Sequence, residues 1–299
     1  MRLNLYSLQL FVAVVEEGSI AAAAEREYIA TSALSKRISE LERTIGTPLL
    51  IRKARGVAPS EAGLTLARGA RALLHGAEDL ALEVRDFASG VSGHVRLVAN
   101  LSSITQFLAH DLAGFLKLHP RVKVDLEERI STTVTRMVLE NAADIGIFTE
   151  SPDARQLEVI PYRQDRLALV VPRDHALAER EAVGFEETLQ YEHVAMHRGS
   201  AANDMLARVA GQSGHGFAPR FHVTSYDAMI AMVSAGLGIC VAPIASVRRF
   251  VQSGFKLIDL NEAWAERQLY MGVRRRDSLP AAARLLMEHL RPHENTRPA

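Results

Sequence analysis

The sequence has one cysteine, no excess of either charge sign and no long apolar run. The single cysteine, Cys240, excludes an internal disulfide and any zinc site built from cysteines of this chain, and it fits a reducing cytoplasm. Lysine plus arginine equals aspartate plus glutamate at 35 each, so any nucleic-acid footprint has to be local. Because no apolar run approaches about 18 residues and none follows a basic start, we expect neither a membrane span nor a signal peptide.

What the chain does have is length and apolar content, with 299 residues of which 48% are hydrophobic. A chain of this size exceeds the usual limit of one hydrophobic core. We therefore expect two or three folded units, each with a sizeable core.

The segment "ATSALSKRISELERTIG", residues 30–46, has the apolar spacing of one helix face. Thr31 is a suitable N-cap, and Gly46 followed by Pro48 indicates the end of the helix. The inward stripe consists of Leu34, Ile38, Leu41 and Ile45. The opposite face holds hydroxyls and cations without a carboxylate, namely Ser32, Lys36, Ser39 and Arg43. Such a face is either ordinary solvated surface or a binding surface, and the flanking sequence decides between them.

The flanking sequence predicts a helix-turn-helix with a wing. A helix over about residues 5–16 ends at Gly18, and Ser19 caps an alanine-rich helix that runs to about Glu27. After the segment, residues 49–51 and 57 predict a short two-stranded wing with "RKARG" at its tip. Residues 31–55 hold six cations against the two carboxylates of Glu40 and Glu42, so this part of the chain is locally basic.

Residues 60–89 predict a long helix with a seam of period 3.5. Such a seam favours pairing with a second helix, although packing against the chain's own core is an open alternative. The seam residues are Leu66, Ala70, Leu73, Ala77, Leu80, Val84 and Phe87. The stretch "ASGVSG", residues 88–93, is a linker signal.

Beyond the linker, strand and helix signals alternate, which predicts α/β units with mainly parallel sheets. We expect strands beginning near residues 94, 122, 143, 166, 193, 220, 238 and 268, and helices over 104–118, 132–141, 203–212 and 226–235. A break near residues 161–166 divides this part into two lobes, and the tail 291–299 reads as disordered. Ligands of such lobes bind where strand ends and helix N-termini converge.

Several motifs together resemble the LysR-type transcriptional regulators. "GSIAAAAE", "ALSKRISELERTIGTPLLIR" and "PSEAG" are similar to the family's helix-turn-helix and to the start of its linker helix. "LHPRVKVDL", "ADIGI" and "SAGLGICVAP" resemble landmarks of its sensor and follow in the same order. The chain has Thr31-Ser32 where the family usually has Gln-Pro.

The resemblance implies a multidomain chain: an all-α winged helix-turn-helix with a linker helix, followed by a two-lobed α/β sensor like a periplasmic binding protein. It places the DNA-binding domain at residues 1–59, the linker and dimerisation helix at 60–89 and the effector-binding domain at 90–299. In that domain, lobe I covers about 90–163 and 267–299, and lobe II covers about 164–266.

For DNA, the resemblance implies that the N-terminal part of the third helix reaches base edges in the major groove. Thr31, Ser32, Ser35 and Lys36 lie in that part. Arg37 is nearer the buried stripe, so we expect a phosphate contact or a packing role for it. Arg52, Lys53 and Arg55 in the wing are expected to meet phosphate or the minor groove.

For the sensor, the resemblance implies an effector between the lobes, with no metal or cofactor. The candidate polar and loop residues are Asn100, Ser102, Ser103, Thr132, Thr133, Phe148, Thr149, Arg198, Ser200 and Thr224. Some family members that bind carboxylates use an arginine near the position of Thr149. This chain has none there, and Arg198 is the residue that could take its place. The implied partners are a double-stranded DNA operator, a small-molecule effector, a second copy of the chain in a dimer or tetramer, and RNA polymerase, but no membrane.

The alternative function is an α/β enzyme or small-molecule-binding protein with an appended helical domain. Gly236-Leu237-Gly238 begins like a dinucleotide loop but Val241 replaces the third glycine, and Gly211-Gln212-Ser213-Gly214 lacks the last glycine of a nucleophile elbow. The eleven histidines show no metal spacing. We therefore expect no catalytic residues. A solute-binding protein would leave the first 90 residues unexplained, and a purely architectural DNA-binding protein would not account for the sensor domain.

Overall fold

The computed structural model describes residues 3–53, 56–86 and 93–292. The chain divides into two units, residues 1–93 with 140–142 and residues 94–139 with 143–299. Arg55, Phe87, the linker residues 88–92 and the tail residues 293–299 lie outside the described residues, so the predictions made for them stay predictions.

The first unit contains four helices and a two-stranded wing. Its helices are α1 (Leu5–Glu17), α2 (Ile20–Arg26), α3 (Thr31–Ile45) and α4 (Glu61–Asp86), and the antiparallel wing strands are β1 (Leu50–Arg52) and β2 (Val57–Pro59). Ser19 caps α2 through its side chain, and Gly18 and Gly46 adopt the left-handed conformation that ends α1 and α3. The predicted helix-turn-helix with a wing is confirmed.

The core of this unit joins all four helices and the start of the wing. Leu8 and Phe11 of α1 pack with Ala23 and Ala24 of α2, whose small side chains allow close helix approach. Leu34, Ile38 and Leu41 of α3, Leu49 before the wing, and Ala67 and Ala70 of α4 complete this core. One detail of the prediction is wrong: Thr31 is the first helical residue of α3, and Ala30 holds the cap position without a side-chain hydrogen bond.

β3 (Gly93–Ala99) leads from the first unit into the second. The chain continues through α5 (Leu101–Ser103), a π-helical turn (Ile104–Leu108), α6 (Ala109–Leu118), β4 (Val122–Glu128), α7 (Ser131–Leu139), β5 (Ile145–Phe148) and β6 (Glu158–Pro172). It then forms β7 (Ala182–Val183), α8 (Phe185–Thr188), β8 (Val194–Met196), α9 (Ala201–Gln212), β9 (Phe221–Val223) and α10 (Tyr226–Ser234). The last elements are β10 (Cys240–Pro243), α11 (Ile244–Val247), β11 (Phe255–Leu260), β12 (Glu266–Val273) and α12 (Ala281–Leu290).

An eight-stranded sheet runs through the second unit in the order β4-β3-β5-β12-β6-β11-β7, with β10 also paired to β6, while β8 and β9 form a separate pair. The prediction of mainly parallel sheets is wrong. β12 is antiparallel to β5 and β6, and β6 is antiparallel to β10 and β11, whereas β3 with β5 and β8 with β9 are parallel. The α/β class is confirmed, but with a mixed sheet.

Two long strands connect the two ends of this sheet. β6 is continuous from Glu158 to Pro172, so it runs through the predicted lobe boundary at residues 161–166, and it carries a bulge there, where the pairing with β12 shifts between Leu269 and Tyr270. The second unit has separate core clusters around different strands of the sheet. One gathers around β3, β5 and α12, and others gather around β10, β11 and α10. We keep the names lobe I and lobe II for the two groups of residues defined above.

Candidate functional site

The exposed face of α3 carries the residues that sequence patterning singles out. Thr31, Ser32, Ser35 and Lys36 are all exposed, whereas Leu34, Ile38 and Leu41 on the opposite face are buried. We call these four exposed residues the reading face. Among the described ion pairs, none involves Lys36, so its ammonium group is available to a ligand.

Arg37 lies at the edge of the reading face, where its side chain is half-buried and contacts α1. Its guanidinium carbon lies 4.9 Å from the centre of the Tyr6 ring, and its Nη1 donates to Ser7 Oγ at 3.4 Å. The N-terminus of α1 is in turn capped by the Asn4 side chain, which accepts from the Tyr6 backbone N–H. The geometry fits the packing role of Arg37, because the contact fixes α3 against the start of α1.

Hydrogen bonds to backbone N–H groups hold both strands of the wing in place. The Glu42 carboxylate accepts from the N–H groups of Leu49 and Leu50, and the Val57 N–H donates to the Gly18 carbonyl at 2.8 Å. Gly56 has a φ of 84°, and a Cβ there would lie 2.3 Å from the Gly18 oxygen, so glycine is needed at this close approach. Arg52 and Lys53 at the end of the wing are exposed.

The N-terminal half of α4 packs in the first unit, and the middle of the helix leaves its seam exposed. Ala70 is buried and Leu66 is half-buried against the core of the first unit. Leu73 and Leu80 are 52% and 60% exposed, and Ala77 between them is exposed as well. The internal alternative therefore holds for the start of the seam, while Leu73, Ala77 and Leu80 lie outside the described core of the first unit.

A cavity of about 320 Å³ lies between the lobes of the second unit. We call it the polar cavity. Lobe I contributes Asn100, Ser102, Ser131 and Thr149, and lobe II contributes His197, Ser200, Thr224 and Tyr226. These residues follow strand ends or begin helices, because Ser131 opens α7, Ser200 caps α9 and Tyr226 opens α10.

Hydrogen bonds order the lobe I wall of the polar cavity. Asn100 Nδ2 donates to Ser131 Oγ at 3.1 Å, the Thr149 N–H donates to the same oxygen, and the Ser131 and Thr149 hydroxyls are 3.2 Å apart. All three residues are buried. Fixed, partly satisfied hydroxyls of this kind can both donate to and accept from a ligand.

The first helical segment of lobe I also bonds directly to lobe II. Ser102 Oγ lies 2.8 Å from the Tyr226 hydroxyl, and Thr105 Oγ1 lies 2.9 Å from Ser246 Oγ. Gln106 Nε2 donates to Asp165 at 2.8 Å within β6. Ser102 is thus both part of the cavity wall and part of an interlobe contact.

A second cavity of about 1010 Å³ adjoins the first. We call it the larger cavity. Phe148, Val159, Met205 and Tyr270 line it together with four charged side chains, those of Glu150, Arg155, Asp204 and Arg208. The two cavities share Ser131, Thr149 and Ala201, so they form one cleft. A third pocket of about 230 Å³ shares Met205 and Tyr270 with the larger cavity and reaches Trp264.

Two family models match the chain. The model of a bacterial regulatory helix-turn-helix protein of the lysR family matches residues 5–64. The model of the LysR substrate binding domain matches residues 88–295, more than half of the chain. This chain belongs to the LysR family. It is a ligand-responsive, DNA-binding transcriptional regulator.

Individual relatives agree with the family models over nearly the whole LysR-type chain. The uncharacterized HTH-type transcriptional regulator YbhD of Escherichia coli strain K12 is 27% identical, with 95% of this chain and 90% of YbhD covered. The crystal structure of CbnR, a LysR family transcriptional regulator, is 21% identical with a TM-score of 0.67, covering 96% of this chain and 98% of that one. Full-length CbnR complexed with its target DNA is similar at a TM-score of 0.65, 22% identity, and coverage of 96% and 99%.

Seven of the ten predicted effector residues of this LysR-type regulator line the cleft. Asn100, Ser102, Ser200 and Thr224 line the polar cavity, Thr132 and Phe148 line the larger cavity, and Thr149 lines both. Ser103, Thr133 and Arg198 line none of the three described cavities. Ser103 is fully buried and donates to Asn100 Oδ1, and Arg198 is exposed.

Sequence reasoning missed several residues in the cleft of the regulator, among them Ser131, Tyr226 and Arg267. Ser131 and Tyr226 are the first residues of α7 and α10, so the start of a helix after a strand was the available signal. Arg267 lies on β12 and lines the polar cavity, with its Nε donating to Asp165 at 2.8 Å. No local pattern marks a strand arginine as part of a cleft.

The features of the rival enzyme hypothesis have structural roles in the regulator. Gly236 has a φ of 74° in the turn that ends α10, and Gly211 lies inside α9. Cys240 is fully buried, and this burial raises the pKa of its thiol, which keeps the group protonated and unreactive. Over residues 3–53, 56–86 and 93–292, the structure contains no group of three metal-ligating side chains and no helix both long and apolar enough to cross a bilayer.

Proposed function

We propose that the reading face of α3 contacts base edges in the major groove and that Arg52 and Lys53 of the wing contact phosphate. The observation that carries this proposal is an exposed, unpaired Lys36 beside three exposed hydroxyl residues on a helix whose other face is buried. Lysine donates to guanine O6 or N7, and hydroxyls accept or donate to several bases. Phosphate contacts add affinity that falls with salt. Arg55 belongs to the same predicted set.

The experiment for this step is selection of genomic fragments by the purified protein, followed by footprinting and titration at several salt concentrations. Arg52→Ala and Lys53→Ala should lower affinity for all fragments and reduce the salt dependence by about one counterion each. Lys36→Ala should instead lose discrimination at one base position. Equal loss on every sequence would contradict its assignment to a base edge.

We also propose that the exposed seam of α4 pairs with the same seam of a second copy, which makes the regulator a dimer with a tetramer as the larger assembly. Two recognition helices on one dimer would read two half-sites. DNA and the effector are the ligands, RNA polymerase is a further partner, and the chain acts in the cytoplasm without catalysing a reaction. The basis for these last assignments is the family of regulators to which the chain belongs.

The effector is proposed to bind in the cleft and to act through the interlobe contacts. A ligand shifts the equilibrium between two arrangements of the lobes only if it binds one of them more tightly. Ser102 can provide this difference, because its hydroxyl can bond either to a ligand or to Tyr226. The test measures operator affinity with and without the small-molecule extract of bacterial cells. Ser102→Ala with Ser131→Ala should abolish the response and leave basal affinity within about twofold, since neither residue belongs to the DNA-binding unit. A response of wild-type size would place the effector elsewhere.

A further inference from the structure

The turn between α2 and α3 holds a tyrosine in a backbone conformation that glycine usually adopts. Tyr28 has a φ of 54°. Its N–H donates to the Glu25 carbonyl at 3.2 Å, and the Ile29 N–H donates to the Ala24 carbonyl at 3.0 Å. These two bonds form a Schellman motif at the end of α2. Tyr28 is its left-handed C′ residue, the position where glycine is most common.

The neighbouring helices end on glycine in the same conformation. Gly18 after α1 and Gly46 after α3 have φ values of 61° and 86°. In the left-handed conformation a Cβ crowds the following carbonyl oxygen, which costs free energy for every residue except glycine. Tyr28 therefore lowers the stability of the first unit relative to glycine at this position, unless its side chain makes a compensating contact.

The described part of the chain provides no such contact. Tyr28 is 95% exposed, more than any other large apolar residue that the structure describes. Over the described residues, its hydroxyl has no hydrogen-bond partner and its ring has no aromatic or cationic neighbour. Ile29 beside it packs against the core of the first unit instead. An unfavourable backbone with an unused, exposed side chain indicates a contact outside the chain.

Tyr28 stands at the end of α3 that the proposed function places in the major groove. Three residues of chain lead from Tyr28 to Thr31, so their Cα atoms are at most about 11 Å apart. The major groove is about 12 Å wide, so a side chain this close to the helix N-terminus is within reach of the phosphates that border the groove. Ala30 between the two residues is exposed, which joins Tyr28 to the reading face in one exposed surface.

The chemistry of the tyrosine side chain suits a phosphate at this place. Glu27 beside it accepts from Gln9 of α1 at 2.8 Å, while Glu25 is exposed without a described ion pair. A cationic side chain in this turn would pair with these carboxylates. The neutral hydroxyl of tyrosine remains free to donate, and tyrosine is among the side chains that bond phosphate oxygens in DNA complexes.

We propose that the Tyr28 hydroxyl donates to a phosphate oxygen of the operator at the border of the groove that α3 enters. This contact positions the helix and carries no base preference. The inference rests on the proposed DNA contacts of α3. It adds a positioning residue that belongs neither to the reading face nor to the wing.

The experiment measures the Kd of the full-length protein for the selected operator and its single-base substitutions at several salt concentrations. Tyr28→Phe should raise every Kd by the same factor of about ten, because it deletes one hydrogen bond to a charged group. The salt dependence should keep its slope, since no cation is lost, whereas Arg52→Ala reduces it. Tyr191→Phe removes a hydroxyl from a half-buried tyrosine of lobe II and should leave the Kd within about twofold.

Tyr28→Gly separates the backbone from the side chain. Glycine accepts the left-handed conformation, so the urea midpoint should rise, while the operator Kd should rise at least as much as in Tyr28→Phe. A binding loss in a more stable protein cannot come from unfolding. Single methylphosphonate substitutions along the operator then locate the contact, because at one position the substitution should weaken the wild type more than Tyr28→Phe.

Each contrary result overturns the inference at a different step. An unchanged Kd in Tyr28→Phe overturns the hydroxyl contact, and a loss that depends on the base sequence overturns the phosphate assignment. A lower urea midpoint in Tyr28→Gly overturns the backbone argument. Lost activation of transcription in vitro at an unchanged operator Kd assigns Tyr28 to a protein partner instead. If Lys36→Ala still loses discrimination at one base position, the proposed reading face stands although this inference has failed.

Discussion

The exposed seam of α4 makes a quantitative prediction about assembly. In the double variant Leu73→Glu and Leu80→Glu, two exposed leucines of the seam become charged. Because both leucines are more than half exposed, at 52% and 60%, the variant should leave the first unit folded. It should nevertheless dissociate the dimer, since the partner helix would have to bury carboxylates without cations.

The magnitude follows from the leucine area that pairing would cover. Full burial of a leucine side chain contributes about 1.5–3 kcal/mol. Covering the exposed half of each side chain in the dimer should therefore contribute about 0.8–1.5 kcal/mol. A symmetric dimer contains four of them, which amounts to about 3–6 kcal/mol. At about 1.4 kcal/mol per factor of ten, the dimer Kd should rise by at least about a hundredfold, before the cost of the buried charges is added.

Sedimentation velocity over a range of protein concentrations measures this change, and the urea midpoint checks the fold. Leu64→Glu is the matched control. Leu64 is 47% exposed on the same helix but lies nine residues from Leu73, which places it on the opposite face. An unchanged mass in the double variant, or equal dissociation in Leu64→Glu, would refute pairing through this seam.

Further predictions concern packing, pH and coupling. In Gly63→Ala the new Cβ would lie 2.1 Å from the Leu49 oxygen, so urea unfolding should show a loss of about 1–3 kcal/mol, whereas Gly211→Ala, with open space around it in α9, should be neutral or stabilising. Burial lowers the pKa of His193. The contribution of His193 to the free energy of unfolding is therefore present above the unfolded-state pKa of about 6.5 and is lost as the pH falls below that pKa. His193→Gln should flatten this part of the plot of unfolding free energy against pH. An unchanged slope of that plot would contradict the prediction. Tyr226→Phe removes the bond to Ser102, so it should change the effector-dependent ratio of operator affinities at a stability cost of about 1 kcal/mol; an unaltered ratio would exclude Tyr226 from the coupling.

The first unit could be predicted well because its signals are local. The 3.6-residue spacing of Leu34, Ile38 and Leu41 and the stop at Gly46 are contained within one helix, and the structure confirms them. The error at Thr31 has a simple cause: a residue type that is favoured at a cap does not fix which position of the turn becomes the cap.

The second unit shows where local reasoning ends. The strand segments themselves were predicted in most cases, but the antiparallel course of β6 and β12 depends on pairing between residues about 100 positions apart. For the same reason the polarity of loop residues could not separate Ser102, which lines the cleft, from Ser103, which is buried against Asn100. The strand at Phe255–Leu260 and the cleft residue Arg267 were missed, since neither has a distinctive local pattern.

The central claim is that α3 reads DNA through its exposed face, and base-resolved binding of Lys36→Ala tests it most directly. Affinities of wild type and variant are measured on a selected operator and on a set of its single-base substitutions, with Lys123→Ala as a control because Lys123 is an exposed lysine of β4. We expect Lys36→Ala to lose about 1–3 kcal/mol on the operator and to become indifferent to substitution at one base pair. Lys123→Ala should match wild type. An unchanged affinity and base preference in Lys36→Ala would contradict the claim.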